Sequence, residues 1–291
     1  MRLTTFSQRG QARIGILISR DDQDYILDLR QARPDLPTDM LEFLRAGEPA
    51  LAAAQTATNA SDERHLIPAA EATLLAPVLR PGKIVCLGHN YYDHMGIGKT
   101  APAEYPTIFD KTNNTVIGPG QPIIIPPVTQ QVDYEAELAV VIGRTARGVS
   151  QDRALDFVAG YTIFNDVSAR DYQKRTSQWM LGKSFDTFGP MGPVLVTKAD
   201  IPDPHDLKLS LTLNGLEMQQ TCTSAMIFSI PYLIAYLSEV MTLEPGDILS
   251  TGTPAKTSAA QSVPPFMKPG DEVRIWIEKI GELVNPVLAA D

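Results

Sequence analysis

The chain has 291 residues, 44% of them hydrophobic and 20% charged, with a formal net charge of −9. That length buries a substantial core as one large domain or as a small domain plus a large one. The acidic balance argues against a nucleic-acid or anionic-membrane partner, because no basic patch would offset the repulsion. Two cysteines, Cys86 and Cys222, make no disulfide framework and read as reduced thiols. The first ten residues lack the apolar core of a signal peptide, and no apolar run nears the roughly 20 residues that span a bilayer. A cytoplasmic location is therefore the expectation.

Taken in order, residues 2–29 read as a meander of three strands: Leu3–Phe6, Arg13–Ser19 and Tyr25–Leu29. Thr38 is placed to cap a helix through Arg45, with Gly47 just beyond its end, and residues 50–57 are helix-permissive. From Asn59 to Pro81 large apolar residues are few, and the stretch reads as a surface linker. A division follows: residues 1–75 as a small N-terminal domain and 76–291 as the main one. Lys83–Leu87 is a short buried strand leading into His89, Asn90, Tyr91 and His94. The glycines at 96 and 98 do not complete a phosphate-binding loop, since Asp93 stands where that motif needs a glycine. Pro106–Phe109 is strand-like and presents Lys111.

The stretch 133–143 carries the most chemistry. As a strand it alternates faces. Val132, Tyr134, Ala136, Leu138, Val140 and Ile142 line one face; Asp133, Glu135 and Glu137 line the other before Ala139 and Val141. Neighbouring carboxylates on one face stand about 7 Å apart. A solvated strand end is the bland explanation, but the row runs straight into a buried-looking apolar segment. Like charges there raise one another's pKa unless something positive lies between them, and a hard divalent cation with oxygen ligands suits that need.

Further on, Gly160–Asp166 is a strand with Asp166 at its exit. Ser168-Ala169-Arg170-Asp171 has capping-box spacing, putting Arg170, Gln173 and Lys174 on adjoining faces of a helical turn. Lys183 sits in a glycine-bounded loop. Asn214-Gly215 is a hairpin turn between Leu209–Leu213 and Leu216–Gln219. Ile230–Val240 reads as a helix with Pro231 in its first turn. Ile248–Thr251, Glu272–Glu278 and a last segment after Gly281 are strands. The fold class is α+β and strand-rich, nearer a β-roll or barrel than alternating β and α.

Four motifs in order carry a resemblance: Asp133-Tyr134-Glu135-Ala136-Glu137-Leu138, Asn165-Asp166-Val167-Ser168-Ala169-Arg170-Asp171-Tyr172-Gln173, Gly182-Lys183-Ser184-Phe185-Asp186, and Thr251-Gly252-Thr253-Pro254. From about Lys83 to Val287 the sequence resembles the fumarylacetoacetate hydrolase family. The resemblance implies a mixed β-sandwich roll, a homodimer, a divalent metal (Mg²⁺ or Mn²⁺, with Ca²⁺ also compatible) and a 2-oxo or 2,4-dioxo acid substrate. Glu135, Glu137 and Asp166 would be the metal ligands. Lys183, Arg170 and Gln173 would serve as donors to substrate oxygens, and Lys111 and Thr253 would face the substrate. His94 would activate a water in the pattern Asn-Tyr-x-x-His-x-x-Glu, but Ile97 stands where the family has its glutamate. An isoleucine cannot fix the tautomer of a histidine or stabilise its charged form.

The first expectation is thus a metal-dependent hydrolase cleaving a C–C bond in an acylpyruvate-like acid. The alternative uses the same metal site without an activated water: an oxaloacetate decarboxylase, or a 2-oxo acid isomerase or tautomerase. A non-catalytic dicarboxylate-binding protein ranks third.

Overall fold

The computed structural model describes residues 1–21, 23–60, 62–92, 103–264 and 266–290. Two sheets lie face to face. The larger has twelve strands. Its spine runs from Leu66–Pro68 through Gln23–Asp28, Gln11–Arg20, Arg2–Gln8, Gly189–Thr197, Val158–Asn165, Ala136–Ile142, Ile248–Ser250 and Ile84–Gly88 to Thr107–Lys111. The smaller orders Leu216–Cys222, Lys208–Leu213, Glu272–Ile277, Gly281–Ala289 and Ile123–Ile125. Pairing is mixed: Ile248–Ser250 runs parallel to Ile84–Gly88 and antiparallel to Ala136–Ile142.

The alternation expected at 132–142 divides two cores. Val132, Tyr134, Ala136, Leu138, Val140 and Ile142 join the apolar cluster between the sheets, with Leu209, Leu211, Ile275, Leu283 and the inner face of helix Ile230–Val240. Ala139 and Val141 point the other way, into a second cluster with Ile14, Ile16, Phe43, Leu44 and Ala54. The helix supplying Phe43 covers that outer face. Because both faces are covered, the whole of Ala136–Ile142 is buried.

Several local expectations change. The helix that begins at Met40 is capped by Asp39, whose carboxylate accepts the Leu41 and Glu42 amides, and not by Thr38. Gly47 turns the chain at φ 66°, a left-handed conformation that glycine adopts without steric penalty, and a second helical stretch follows through Ala60. The stretch 59–81 is no surface linker: Leu66–Pro68 and Thr73–Leu75 are strands paired to the meander, and Ala76 and Val78 are buried. The meander's first strand pairs in turn with Gly189–Thr197, so one sheet spans both sides of residue 75. Ser168 does not cap the turn Arg170–Gln173; it lies in a two-residue strand paired with Val132–Asp133, and its hydroxyl donates to the Asp166 carbonyl. The Asn214-Gly215 hairpin forms with both residues at positive φ (52° and 80°). Cys86 and Cys222 are both free thiols. No helix among the described residues is long and apolar enough to cross a membrane.

Candidate active site

The acidic stretch is not one continuous strand. Val132–Asp133 pairs with Ser168–Ala169, the backbone breaks at Tyr134-Glu135, and the strand resumes at Ala136. The break is held by two amides from elsewhere in the chain. Asn165 Oδ1 accepts the Glu135 N–H at 3.0 Å, and Gln219 Oε1 accepts the Ala136 N–H at 3.0 Å. Asp166 follows directly after its strand, with its own N–H donating to the Glu135 carbonyl at 2.9 Å. These contacts bring Glu135, Glu137 and Asp166 together, with one oxygen from each lying within 4.8 Å of the others.

All three carboxylates are buried, and their surroundings differ. Glu135 accepts from Arg170 Nη2 and from Lys183 Nζ, each at 2.6 Å. Asp166 accepts from Lys183 at 2.6 Å and from Lys111 at 2.7 Å, one on each oxygen. Glu137 accepts on a single oxygen, from Ser250 Oγ at 2.6 Å and the Gly252 amide at 2.8 Å. Its other oxygen, Oε1, is buried with no hydrogen-bond partner among the described residues. Gly252 gives that amide from φ 94°, and a side chain there would come within 2.8 Å of Asn90 Cβ, so only glycine fits the turn.

The electrostatics follow from this allocation. Burial opposes the charge on Glu135, but Arg170 and Lys183 outweigh it and hold its carboxyl well below the usual range. Burial, reinforced by Asp166 and Glu135, pushes Glu137 well above that range. Lys183 resists its own burial because Asp166 and Glu135 hold it ionised, above the ordinary lysine value. Burial pulls Lys111 down, against the attraction of Asp166. A bare, buried carboxylate oxygen beside two further carboxylates is costly unless a cation satisfies it. Hard oxygen donors of this kind suit Mg²⁺ or Mn²⁺.

The remaining site residues are distributed as follows. Arg170, Gln173, Lys183 and Thr253 line a cleft of about 100 Å³ beside Glu135, with His89, Phe109 and Trp179 on its walls. Arg170 Nη1 donates to Gln173 Oε1 at 2.9 Å, which leaves the Gln173 amide group as a donor. Lys183 stands on the helical turn Met180–Lys183, not in a loop; a side chain at Gly182 would meet the Gln173 backbone nitrogen at 2.5 Å. Lys111 lies behind Asp166 and also donates to the Val167 carbonyl at 3.0 Å. Thr253 is tied to the Ala136 carbonyl and to Gln219. Lys174 is exposed. His94 and Ile97 lie outside the described residues.

Other residues around the site have contacts that the sequence did not indicate. Asp133 belongs to no metal triad: its carboxylate takes Arg170 Nε at 2.9 Å and Lys256 Nζ at 2.7 Å. His205 is half-buried, and its Nε2 accepts the Ile230 N–H at the start of helix Ile230–Val240. Ser250 and Gln219 also hold the site, and each sits in an ordinary strand without a local motif.

Comparison with known proteins agrees with the geometry. Residues 83–288 match the family described as fumarylacetoacetate (FAA) hydrolase, C-terminal. A rat protein named oxaloacetate tautomerase Fahd2a, mitochondrial, is 45% identical over 264 residues, covering 90% of this chain and 84% of its own length. A Xenopus laevis protein named oxaloacetate tautomerase fahd2, mitochondrial, is 43% identical over 291 residues, covering 99% and 90%. Among solved structures, a fumarylacetoacetate hydrolase from Exiguobacterium antarcticum superposes with TM-score 0.84 at 36% identity, covering all of both chains. A maleylpyruvate hydrolase from Sphingobium sp. SYK-6, solved with manganese(II) and pyruvate, gives TM-score 0.81 at 31% identity, again over all of both chains. By motif, fold and sequence the chain belongs to the fumarylacetoacetate hydrolase family.

Proposed function

We propose that this chain is a divalent-cation-dependent tautomerase acting on oxaloacetate or a closely similar 2-oxo dicarboxylic acid. One observation carries the reading: the dry carboxylate cluster in which Glu137 keeps a bare oxygen next to the Lys183-bridged pair Glu135 and Asp166. The choice among reactions leans on the names of the rat and frog relatives and on Ile97. In enol-to-keto conversion a proton leaves the oxygen on C2 and a proton joins C3; no C–C bond breaks and no water is consumed. A histidine without its carboxylate partner suits that reaction better than hydrolysis, which was the first expectation from sequence.

Glu135, Glu137 and Asp166 would hold Mg²⁺ or Mn²⁺, which when bound stabilises negative charge developing on the 2-oxo group. Lys183 spends two of its three N–H groups on Glu135 and Asp166 and directs the third toward the substrate oxygen as a fixed positive donor. The Gln173 amide group, oriented through Arg170, donates to a substrate carboxylate. Lys111 and Thr253 hold Asp166 and the strand backbone from behind. His94 is assigned the proton transfer. The family resemblance also implies a homodimer, which sedimentation of the purified chain tests.

The decisive assay follows enol oxaloacetate by its ultraviolet absorbance with Mg²⁺ present, beside proton NMR of oxaloacetate and of acylpyruvates. Faster loss of the enol with acylpyruvates untouched is the expected result. Pyruvate plus a free carboxylic acid from an acylpyruvate would return the assignment to hydrolysis.

A further inference from the structure

A row of aromatic rings runs outward from the reactive end of the cleft. Lys183 Nζ lies 4.8 Å from the centre of the Phe109 ring; Phe109 meets Trp179 edge to face at 5.4 Å, and Trp179 meets His89 in the same way at 5.5 Å. The indole rests on the bare backbone of Gly88, where a side chain would come within 2.4 Å of it. His89 is held at φ 57°, a left-handed conformation that is unfavourable for a residue with a side chain. The neighbouring Asn90 enforces it: its side chain donates to the Phe228 and Thr251 carbonyls and accepts the Phe228 amide. Trp179 is only half-buried and His89 is exposed, so the outer part of the wall presents aromatic surface to the opening. The wall also joins two spaces. The inner cleft beside Glu135 holds about 100 Å³, an outer chamber of about 530 Å³ lies next to it, and His89, Arg170, Gln173 and Trp179 line both. Benzene needs a cavity of roughly 150 Å³, so the inner cleft alone admits a compact 2-oxo acid, and a ring attached to one must lie in the outer chamber.

We infer that this wall gives the enzyme a second substrate class, the enols of 3-aryl-2-oxo acids, whose ring stacks against Trp179 and His89 in the outer chamber. The inference rests on the tautomerase reading above and extends its range of acids beyond dicarboxylates. Such an enol is planar, because its C2–C3 double bond is conjugated with both the carboxyl group and the ring, and a flat conjugated solute suits a wall of ring faces and edges. Its 2-oxo acid end occupies the inner cleft beside Lys183, as a compact acid does, and its ring extends past Trp179. The step balances as before: a proton leaves the oxygen on C2, a proton joins C3, and no water or further reagent is consumed.

Two measurements on the full chain test this. In the first, enol phenylpyruvate and enol oxaloacetate are each diluted from dry solvent into buffer with Mg²⁺, and loss of the enol absorbance is compared with metal-only controls. Enzyme-dependent loss of both is expected. Trp179→Leu is expected to lower the ratio of kcat/KM for phenylpyruvate to that for oxaloacetate by about tenfold, His89→Leu by about threefold, and Trp179→Phe, which keeps a ring, by about twofold at most. In the second, Trp276→Phe removes the other tryptophan, so that emission reports Trp179 alone, and 3-phenyllactate or lactate, neither of which can enolise, is titrated in. A saturable change with 3-phenyllactate and none with lactate at the same concentrations is expected. An aryl enol left untouched while oxaloacetate is converted overturns the inference and leaves the proposed function standing, as does an unchanged ratio in Trp179→Leu or an equal emission response to both acids. Conversion of the aryl enol alone, with the emission change, would keep the inference and overturn oxaloacetate as the substrate. Conversion of neither enol overturns both.

Discussion

Asp28 and Glu137 are both fully buried carboxylates on strands of the same sheet, and they are treated in opposite ways. Asp28 closes its hydrogen bonds locally: Arg13 Nη1 at 2.7 Å and Gln31 Nε2 at 3.0 Å on one oxygen, the Arg30 amide at 3.0 Å on the other. It pins the end of the meander to the helical turn Leu29–Ala32 and asks for nothing more. Among the described residues Glu137 has its donors on one oxygen only, and its neighbours within 4.8 Å include two further carboxylates. A buried acid with complete local partners is structural. One left incomplete beside like charges is a reservoir of unfavourable energy that a ligand can relieve.

The widest break between the two comes from Glu137→Gln. Activity is expected to fall by about 10³-fold or more, because the variant loses a charged ligand of the cluster. Melted in the presence of a chelator, the same variant is expected to gain about 2–4 °C, since an amide is easier to bury there than a third carboxylate. Unchanged activity, or a lower melting temperature in chelator, would end the contrast. Asp28→Ala is the mirror case. It is expected to cost about 3 kcal/mol of stability by urea unfolding, leaving the half-buried Arg13 without its carboxylate, while the turnover of the folded fraction stays near that of the parent. Loss of turnover at full foldedness would show that the meander reaches the site.

Asp133→Asn sharpens the comparison, because this acid stands outside the Glu135, Glu137 and Asp166 cluster and acts through Arg170 and Lys256. A fall in kcat of about 10- to 100-fold is expected, with the fold retained. Rescue by Glu at this position is not expected, because the longer side chain would displace Arg170 from Glu135. The smallest effect concerns His205. Burial lowers its pKa from 6.5, against the attraction of Asp203. The folded chain therefore favours the neutral ring that accepts the Ile230 amide. Its contribution is full above pH 6.5 and is lost as pH falls through the lowered folded value. Between pH 7 and 5 the parent is expected to lose about 1–2 °C more in melting temperature than His205→Gln does. Parallel curves for the two would show that the ring's proton is irrelevant to the helix start.

Much of this was legible in the sequence, and for a stated reason. Side-chain alternation is a property of the extended backbone, so the residues from Val132 to Ile142 announce their two faces without any partner strand. The Asn214-Gly215 turn and the Pro231 helix start are equally local, since both depend on what one or two residues allow the backbone to do. The order of Glu135, Glu137, Asp166 and Lys183 along the chain was enough to suggest a cation site and a family.

What those residues do to one another was decided by the tertiary structure alone. Asp133 stands in the same acidic row as Glu135 and Glu137, yet the break at Tyr134-Glu135 turns it to Arg170 and Lys256. Lys111, expected from sequence to face the substrate, donates to Asp166, 55 residues away. The donors that leave Glu137 half satisfied come from Ser250 and Gly252, more than a hundred positions along the chain. A hydrogen bond between residues so far apart leaves no local pattern of propensity or spacing, because it exists only once sheet pairing has set the distance between them.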